Sequence, residues 1–430
     1  MKYAFVLLVA SCSLSAVHAQ WLETTIPVGQ IPCALCYNAQ NDKVYVASEG
    51  SSKVTVINGA TNEVIARVAA GNGVGLCYNQ TNNRVYCADL GPDVVSVVDG
   101  ATDSVIANVH VGTISVNLCY NYLDNKVYCA RFGGYGVTVI DGATNEVLAQ
   151  VPTPYQAMGE LCFNTRDDKV YCTSSDSIGY VTIIDGKTDS SSHTELGRGV
   201  SPTALCYNVV QNRIFCADEA YGSVIVIDGV TDTVIGAVTV GQWPSALCYD
   251  SSMDRIYCAN VGTDNVSVID AGSNLVIATV ATGHEPRAIL HDSAHDKVFC
   301  ANSGSDGVAV IDCATDSVIC TIATGQFPNA LVRNPLRNRV YVTNRDDSSV
   351  SVLRDSGTGI QETTNDRRIA RKVSPTILSG ASGVKRLGSC VVFDAMGRRV
   401  LDPRPGVFFV AEPSAVGRKP SAVTKVVIAR

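Results

Sequence analysis

Short apolar runs of four to seven residues, divided by Asn, Asp, Gly and Pro, follow one another from Trp21 to Leu353. The stretch from Val74 to Val109 is representative, with four such runs rich in Val, Ile, Tyr and Cys. Run length and composition are those of β-strands, and helical spacing of apolar positions is absent. The connectors are hairpin text: Asn-x-x-Asn between the first and second runs, Asp-Gly-Ala-Thr between the third and fourth. Asn, Asp and Gly tolerate the left-handed backbone angles that tight turns need. The same text returns about every 42 residues, a period typical of propellers and solenoids.

Eight copies align. Leu35, Leu76, Leu118, Leu161, Leu205, Leu247, Leu290 and Leu331 open the end of the first run. Tyr45, Tyr86, Tyr128, Tyr171, Phe215, Tyr257, Phe299 and Tyr341 centre the second. The third ends at Asn58, Asp99, Asp141, Asp185, Asp228, Asp270, Asp312 and Arg354, and the fourth resembles Glu63 to Val68. Four antiparallel strands repeated radially make a propeller blade. Fourth-run text first appears at Trp21 to Val28, ahead of any first run, and the eighth copy stops after its third run. The N-terminal strand is therefore expected to pair near Val350 to Leu353, complete the last blade and leave no open sheet edge. The fold class is all-β, with eight blades over residues 20–355, or seven if one weak copy is not a blade.

Tyr341-Val342-Thr343-Asn344 is the motif that names the YVTN β-propeller repeats, and Tyr128-Cys129-Ala130 and Tyr257-Cys258-Ala259-Asn260 are variants of it. Residues 21–355 resemble that family. The resemblance implies a propeller of exported or cell-surface proteins and is unspecific for activity.

Residues 356–378 lack strand periodicity and have the character of a linker. Residues 379–430 carry three strand-like runs, Cys390–Phe393, Val407–Val410 and Lys425–Ile428, with a turn at Asp394–Arg399. Asp394-Ala395-x-Gly397-Arg398-x-Val400, Pro405-Gly406-Val407 and Lys425-Val426-Val427 occur in the order found in C-terminal sorting domains of type IX secretion substrates. That resemblance implies the secretion machinery as a partner; an ordinary accessory β-sandwich is the alternative.

At the other end, Lys2, the apolar Ala4–Ala10 and the small-residue site Val17-His18-Ala19 form a signal peptide over 1–19, predicting a mature start at Gln20. Val9–Cys12 also resembles a lipobox. The apolar run is too short to cross a membrane, and no later segment does so. Export, to the cell surface or the periplasm, exposes the cysteines to an oxidising compartment.

The net charge of −7 hides an asymmetry: +9 from Asp366 onward and −16 before it. An acidic body argues against nucleic acid as a partner.

Of 17 Cys, 12 fall at two repeat positions. Cys36, Cys77, Cys119, Cys162, Cys206 and Cys248 lie in first runs, and Cys87, Cys129, Cys172, Cys216, Cys258 and Cys300 in second runs, offset by one copy. Pairing each first-run Cys with the second-run Cys of the next copy leaves none over. Alternation along a strand lets one face the following blade and the other the preceding one. Six inter-blade disulfides result, each contributing on the order of 3–4 kcal/mol by loop entropy. The alternative is buried free thiols acting as small hydrophobes. A ten-residue spacing is not that of zinc ligands, so no metal and no cofactor is expected from the cysteine pattern.

Connectors between second and third runs, and between copies, should share one face of the disc. They vary most between copies, which marks the usual binding face of a repeat scaffold. Its candidates are Arg131, Phe132, Tyr135, Tyr155, Tyr180, Tyr221, Trp243, His284, Arg287, Phe327 and Arg345. Aromatics and Arg suit anchoring of a protein, glycan or small molecule; Trp243-Pro244 and Phe327-Pro328 can also simply cap a blade. His284, Glu285 and Arg287 form the one His–acid–Arg cluster, while His291 and His295 fit a strand and a turn. G-x-S-x-G, P-loop, H-E-x-x-H and calcium-loop patterns are absent. Three roles stay open: a binding module, a propeller enzyme of lactonase or quinoprotein type, and a structural envelope protein. Carboxylates or His within ~3 Å of one another in a pocket would favour catalysis. A bare channel with an aromatic rim would favour binding.

Overall fold

The computed structural model describes residues 20–355, Pro92 excepted, and four strands at 377–379, 391–393, 406–411 and 423–429. Residues 20–355 form eight four-stranded antiparallel sheets. Blade 1 is Pro32–Asn38, Lys43–Ser48, Val54–Asn58 and Val64–Val68. Each later blade repeats that order. Blade 8 contributes Pro328–Asn334, Arg339–Asn344 and Ser349–Asp355, and its fourth strand is Gln20–Pro27. Leu22 faces Leu353 and Ile26 faces Val350 in that antiparallel pair. The ring is closed by the strand Gln20–Pro27, and the seven-bladed alternative falls away.

The innermost strands of the blades touch their counterparts all round the circle, with Pro328–Asn334 returning to Pro32–Asn38. Alternation along each strand fills the spaces between blades. Eight apolar clusters result, one per interface. The last joins Ile26, Val350 and Tyr341 to Val44, Val46 and Ile57 of blade 1. Each burial of this kind stabilises by about 25 cal/mol per Å² of apolar surface.

A polar latch recurs between neighbouring blades, made by the hydroxyls of Tyr45, Tyr86, Tyr171, Tyr257 and Tyr341. The Tyr45 hydroxyl donates to Asp103 Oδ1 of the next blade at 2.6 Å, and Lys43 Nζ donates to Asp103 Oδ2 at 2.8 Å. Asp103 sits at φ 55°, an angle Asp and Asn tolerate, which is why the turn text repeats those residues. At the closing interface Tyr341 donates to Asn62 Oδ1 at 2.8 Å, and Arg339 binds the Gly59 carbonyl and Glu23 of the closing strand.

Two expectations are corrected here. The first concerns copy 7. Leu290 pairs with Phe299 as Cys36 pairs with Tyr45, so Ile289 holds the leucine position, Leu290 the cysteine position and His291 the tyrosine position. Two adjacent apolar residues and a missing cysteine hide the register in the sequence. The second concerns the disulfides. All 15 described cysteines are free thiols, and none of the pairs 36–87, 77–129, 119–172, 162–216, 206–258 or 248–300 is bonded. The facing is nonetheless the expected one: both members of five pairs share one inter-blade cluster, the exception being Cys162 and Cys216. The thiols act there as small apolar fillers of packed sheet faces.

The C-terminal unit is a separate four-stranded sheet: Ile377–Ser379 pairs in parallel with Val423–Ala429, which pairs with Gly406–Ala411, which pairs with Val391–Phe393. The three expected strands are among them. The expected signal peptide, the turn at 394–399 and most of the linker lie outside the described residues. Among those residues no helix is long and apolar enough to cross a membrane.

Candidate functional site on the loop face

Each turn between second and third strands bonds back to the connector that enters its blade. Val261 N–H donates to the Trp243 carbonyl, Ser303 N–H to that of Glu285, and Arg345 N–H to that of Phe327, each at 2.9–3.0 Å. The two connector types therefore share a face, as expected.

On that face, between blades 5, 6 and 7, lies a cavity of about 840 Å³. Trp243, His284 and Arg287 line it, with Glu219, Asp264 and Glu285. A neighbouring cavity of about 360 Å³ places Tyr221 beside Trp243. Arg287 and Arg345 each stand 5.5 Å from the centre of the Phe327 ring, a cation–π distance. Six of the eleven candidates thus form one arc. The other five lie on blades 3 and 4: Tyr155 and Tyr180 pair with ring centres 5.7 Å apart, Phe132 and Tyr135 are exposed, and Arg131 is half-buried against Gly134 and Gly136.

The arc is built at some backbone cost. Trp243, Glu285 and Phe327 each precede a proline at φ 52–55°. A left-handed angle at a bulky residue costs roughly 1–2 kcal/mol; Ile31 before Pro32 in blade 1 adopts it too, so the angle belongs to the repeat. On its connector the Trp243 ring stands 57% exposed.

Polar groups are paired around the ring. His284 Nδ1 lies 2.8 Å from Asp264 Oδ2, and the other Asp264 oxygen accepts the Glu285 N–H at 2.9 Å. These contacts hold the Asp264 carboxyl below the usual range, the Glu285 amide contributing most. Glu285 Oε2 accepts from Arg287 Nη2 at 2.9 Å. Asp264 and Glu219 escape the sequence reading because turn Asp and Glu are common in every copy.

One repeat position shows how the site departs from the scaffold. Cys33 Sγ, Thr203 Oγ1 and Ser245 Oγ point at the carbonyl of the next blade's first residue, at 3.4, 2.7 and 3.0 Å. In blade 7 that position is Arg287, which leaves the carbonyl of Pro328 to Ser303 and turns to Glu285 and Phe327.

The central channel is a second concavity of about 410 Å³, lined by Cys33, Leu35, Leu76, Val116, Asn117 and Glu160 among others. Among the described residues that line it, Glu160 is the only charged one, and Ala34 and Ala330 hold the same repeat position. Burial pushes its carboxyl up to about 7.

No protein-family model matches this chain. No curated protein matches it either. Solved structures do match. Hydrazine synthase of Kuenenia stuttgartiensis is 16% identical with a TM-score of 0.56, over 68% of this chain and 97% of that one. The dihydro-heme d1 dehydrogenase NirN, in complex with DHE, is 14% identical with a TM-score of 0.63, over 77% of this chain and 75% of that one. At such identity the likeness is one of fold: the chain is an eight-bladed β-propeller.

Proposed function

We propose that this propeller is a binding module that takes a neutral polar ligand, a saccharide chain above all, in the loop-face cavity of blades 5–7. One observation carries the reading: an exposed Trp243 ring stands in the same cavity as Asp264, His284, Glu285 and Arg287. An indole face suits the apolar face of a sugar ring, and fixed carboxylate, imidazole and guanidinium groups suit its hydroxyls. Three carboxylates, Glu219, Asp264 and Glu285, outnumber Arg287 in the lining, so the site disfavours anionic ligands and suits neutral ones.

The sequence holds two tryptophans, and Trp21 lies in the closing strand. In a Trp21→Phe background, emission therefore reports on Trp243 alone. Titration with a glycan panel should quench or shift that emission saturably, and Arg287→Ala should weaken the response. A panel of neutral and charged oligosaccharides that leaves emission unchanged would sink the proposal.

An enzymatic role is the second reading, and Asp264–His284 at 2.8 Å meets the distance named for it. That pair stands at the rim with His284 largely exposed, and the nearby hydroxyls of Thr203 and Ser245 already donate to backbone carbonyls. The arrangement supplies no activated nucleophile, which favours binding.

The YVTN motif in the second strand of blade 8, the leader at 1–19 and the sorting-type tail support kinship with exported YVTN propellers, delivered to the surface through the tail. A mature N-terminus at Gln20 and loss of surface exposure on removal of 379–430 are the expected results.

A further inference from the structure

We infer that the interface between blades 6 and 7 holds a divalent transition metal, best matched by Zn²⁺, on Asp250, His291, Asp296 and Cys313. One ligand atom of each lies within 4.8 Å of the others.

At the same node other blades bring neutral amides together. Where blades 1 and 2 meet, Asn38 Nδ2 donates to Asn83 Oδ1 at 2.9 Å, Tyr78 donates to that same oxygen, and Gly100 covers them. A Cβ on Gly100 would stand 2.5 Å from both amides. The pattern recurs with Asn79 and Asn125, Asn121 and Asp168, Asn164 and Asn212, and Asn334 and Asp42. Between blades 6 and 7 three positions change together. Asn becomes Asp250, Tyr becomes His291 and Gly becomes Cys313. The amide donor that met the next blade's acid is gone, and two carboxylates, Asp250 and Asp296, face each other.

The node is left unsatisfied. The Asp250 side chain is fully buried and that of His291 is 6% exposed. Among the described residues Asp250 Oδ2 and His291 Nε2 have no hydrogen-bond partner. Ser252 offers one hydroxyl, 2.6 Å from Asp250 and 2.8 Å from Asp296. Among the described residues neither carboxylate has a Lys or Arg partner, and Arg255 is turned to the Cys313 carbonyl and Asp316. The equivalent node between blades 7 and 8 also gathers two carboxylates, Asp292 and Asp355. There the chain supplies the charge itself: Arg333 binds Asp292 at 2.8 Å and Lys297 binds Asp355 at 3.0 Å. A buried pair of acids without such a cation is costly, and a metal ion resolves it.

The spacing fits. Metal–ligand bonds of roughly 2.0–2.3 Å make tetrahedral edges of roughly 3.3–3.8 Å. His291 Nε2 lies 3.4 Å from Asp250 Oδ1 and 3.8 Å from Asp296 Oδ1. A thiolate, an imidazole and two carboxylates suit zinc, and a closed set of four marks a structural site. Such an ion would staple together the two blades that carry most of the loop-face cavity.

The test uses the full chain. Purified wild type, dialysed against Zn²⁺, should retain one equivalent by elemental analysis. Co²⁺ should give visible bands of tetrahedral intensity and a thiolate-to-cobalt charge-transfer band. Cys313→Gly should lose the charge-transfer band. The triple variant Asp250→Asn, His291→Tyr, Cys313→Gly rebuilds the node of the other blades, so it should fold and lose stoichiometric zinc. Zinc should raise the melting temperature of wild type and not of the triple variant. Zinc content equal in wild type and triple variant, or a cobalt complex without the thiolate band, overturns the inference; should the triple variant fail to fold, the band in wild type against Cys313→Gly decides alone.

Discussion

Replacing Glu160 by Gln should make the propeller more stable above neutral pH and change little in acid. Burial against the channel wall raises its carboxyl to about 7, against about 4.3 in an unfolded chain. The folded state therefore holds the proton more tightly. The stabilisation is complete below about 4.3, falls as pH rises, and is gone above about 7. At 1.36 kcal/mol per tenfold change in proton affinity, the full displacement is worth about 4 kcal/mol. Glu160 keeps part of its surface at the open channel, and solvent there reduces the figure to about 1–2 kcal/mol. Urea unfolding of both proteins from pH 4 to pH 8.5 measures it. The Gln variant should gain about 1–2 kcal/mol over wild type at pH 8.5, with the difference vanishing near pH 4. A stability difference that does not vary with pH would refute the reasoning, because an amide and a charged carboxylate would then be equally at ease in the channel.

Three further outcomes follow from the packing. Ile26→Ala, in the closing strand and inside the last inter-blade cluster, should destabilise by about 2–4 kcal/mol, whereas Leu22→Ala on the exposed side of the same strand should cost about 1 kcal/mol or less. Equal effects in denaturant melts would contradict that cluster. The buried thiols should resist aromatic disulfide reagents until the protein unfolds, since burial lifts Cys33 to about 11 and Cys119 to about 12; prompt reaction of more than a few thiols, or an isolated 36–87 linked peptide, would count against free packed cysteines. Tyr45→Phe should lose about 1 kcal/mol through its hydrogen bond to Asp103, with no change in fold by circular dichroism.

The repeat made most of the fold legible. Four strand-length runs per period, hairpin text between them and a fourth run displaced to the N-terminus specify blades, strand order and closure without any tertiary information. The one-copy offset of the cysteines likewise told which neighbour each faces, as Cys36 and Cys87 meeting in one cluster shows. It could not tell whether facing thiols bond, because bonding depends on separations of a few tenths of an ångström. The site was legible only in part. Trp243, His284 and Arg287 stood out as departures from the repeat, but Asp264 and Glu219 did not, since their residue types recur in ordinary turns. The node of Asp250, His291 and Cys313 was hidden more deeply. Its members are spread over two blades, and the misplaced register at Leu290 put His291 out of line with the tyrosines it replaces.

Hydrogen exchange on the protein tests ring closure most directly. Amides of Gln20–Pro27 and Ser349–Asp355 that pair across the last blade should exchange as slowly as those of the matching strands in blades 2 to 7. Exchange of the 20–27 amides at the rate of an unstructured peptide, with 349–355 exposed as a free edge, would contradict a ring fastened by its first strand.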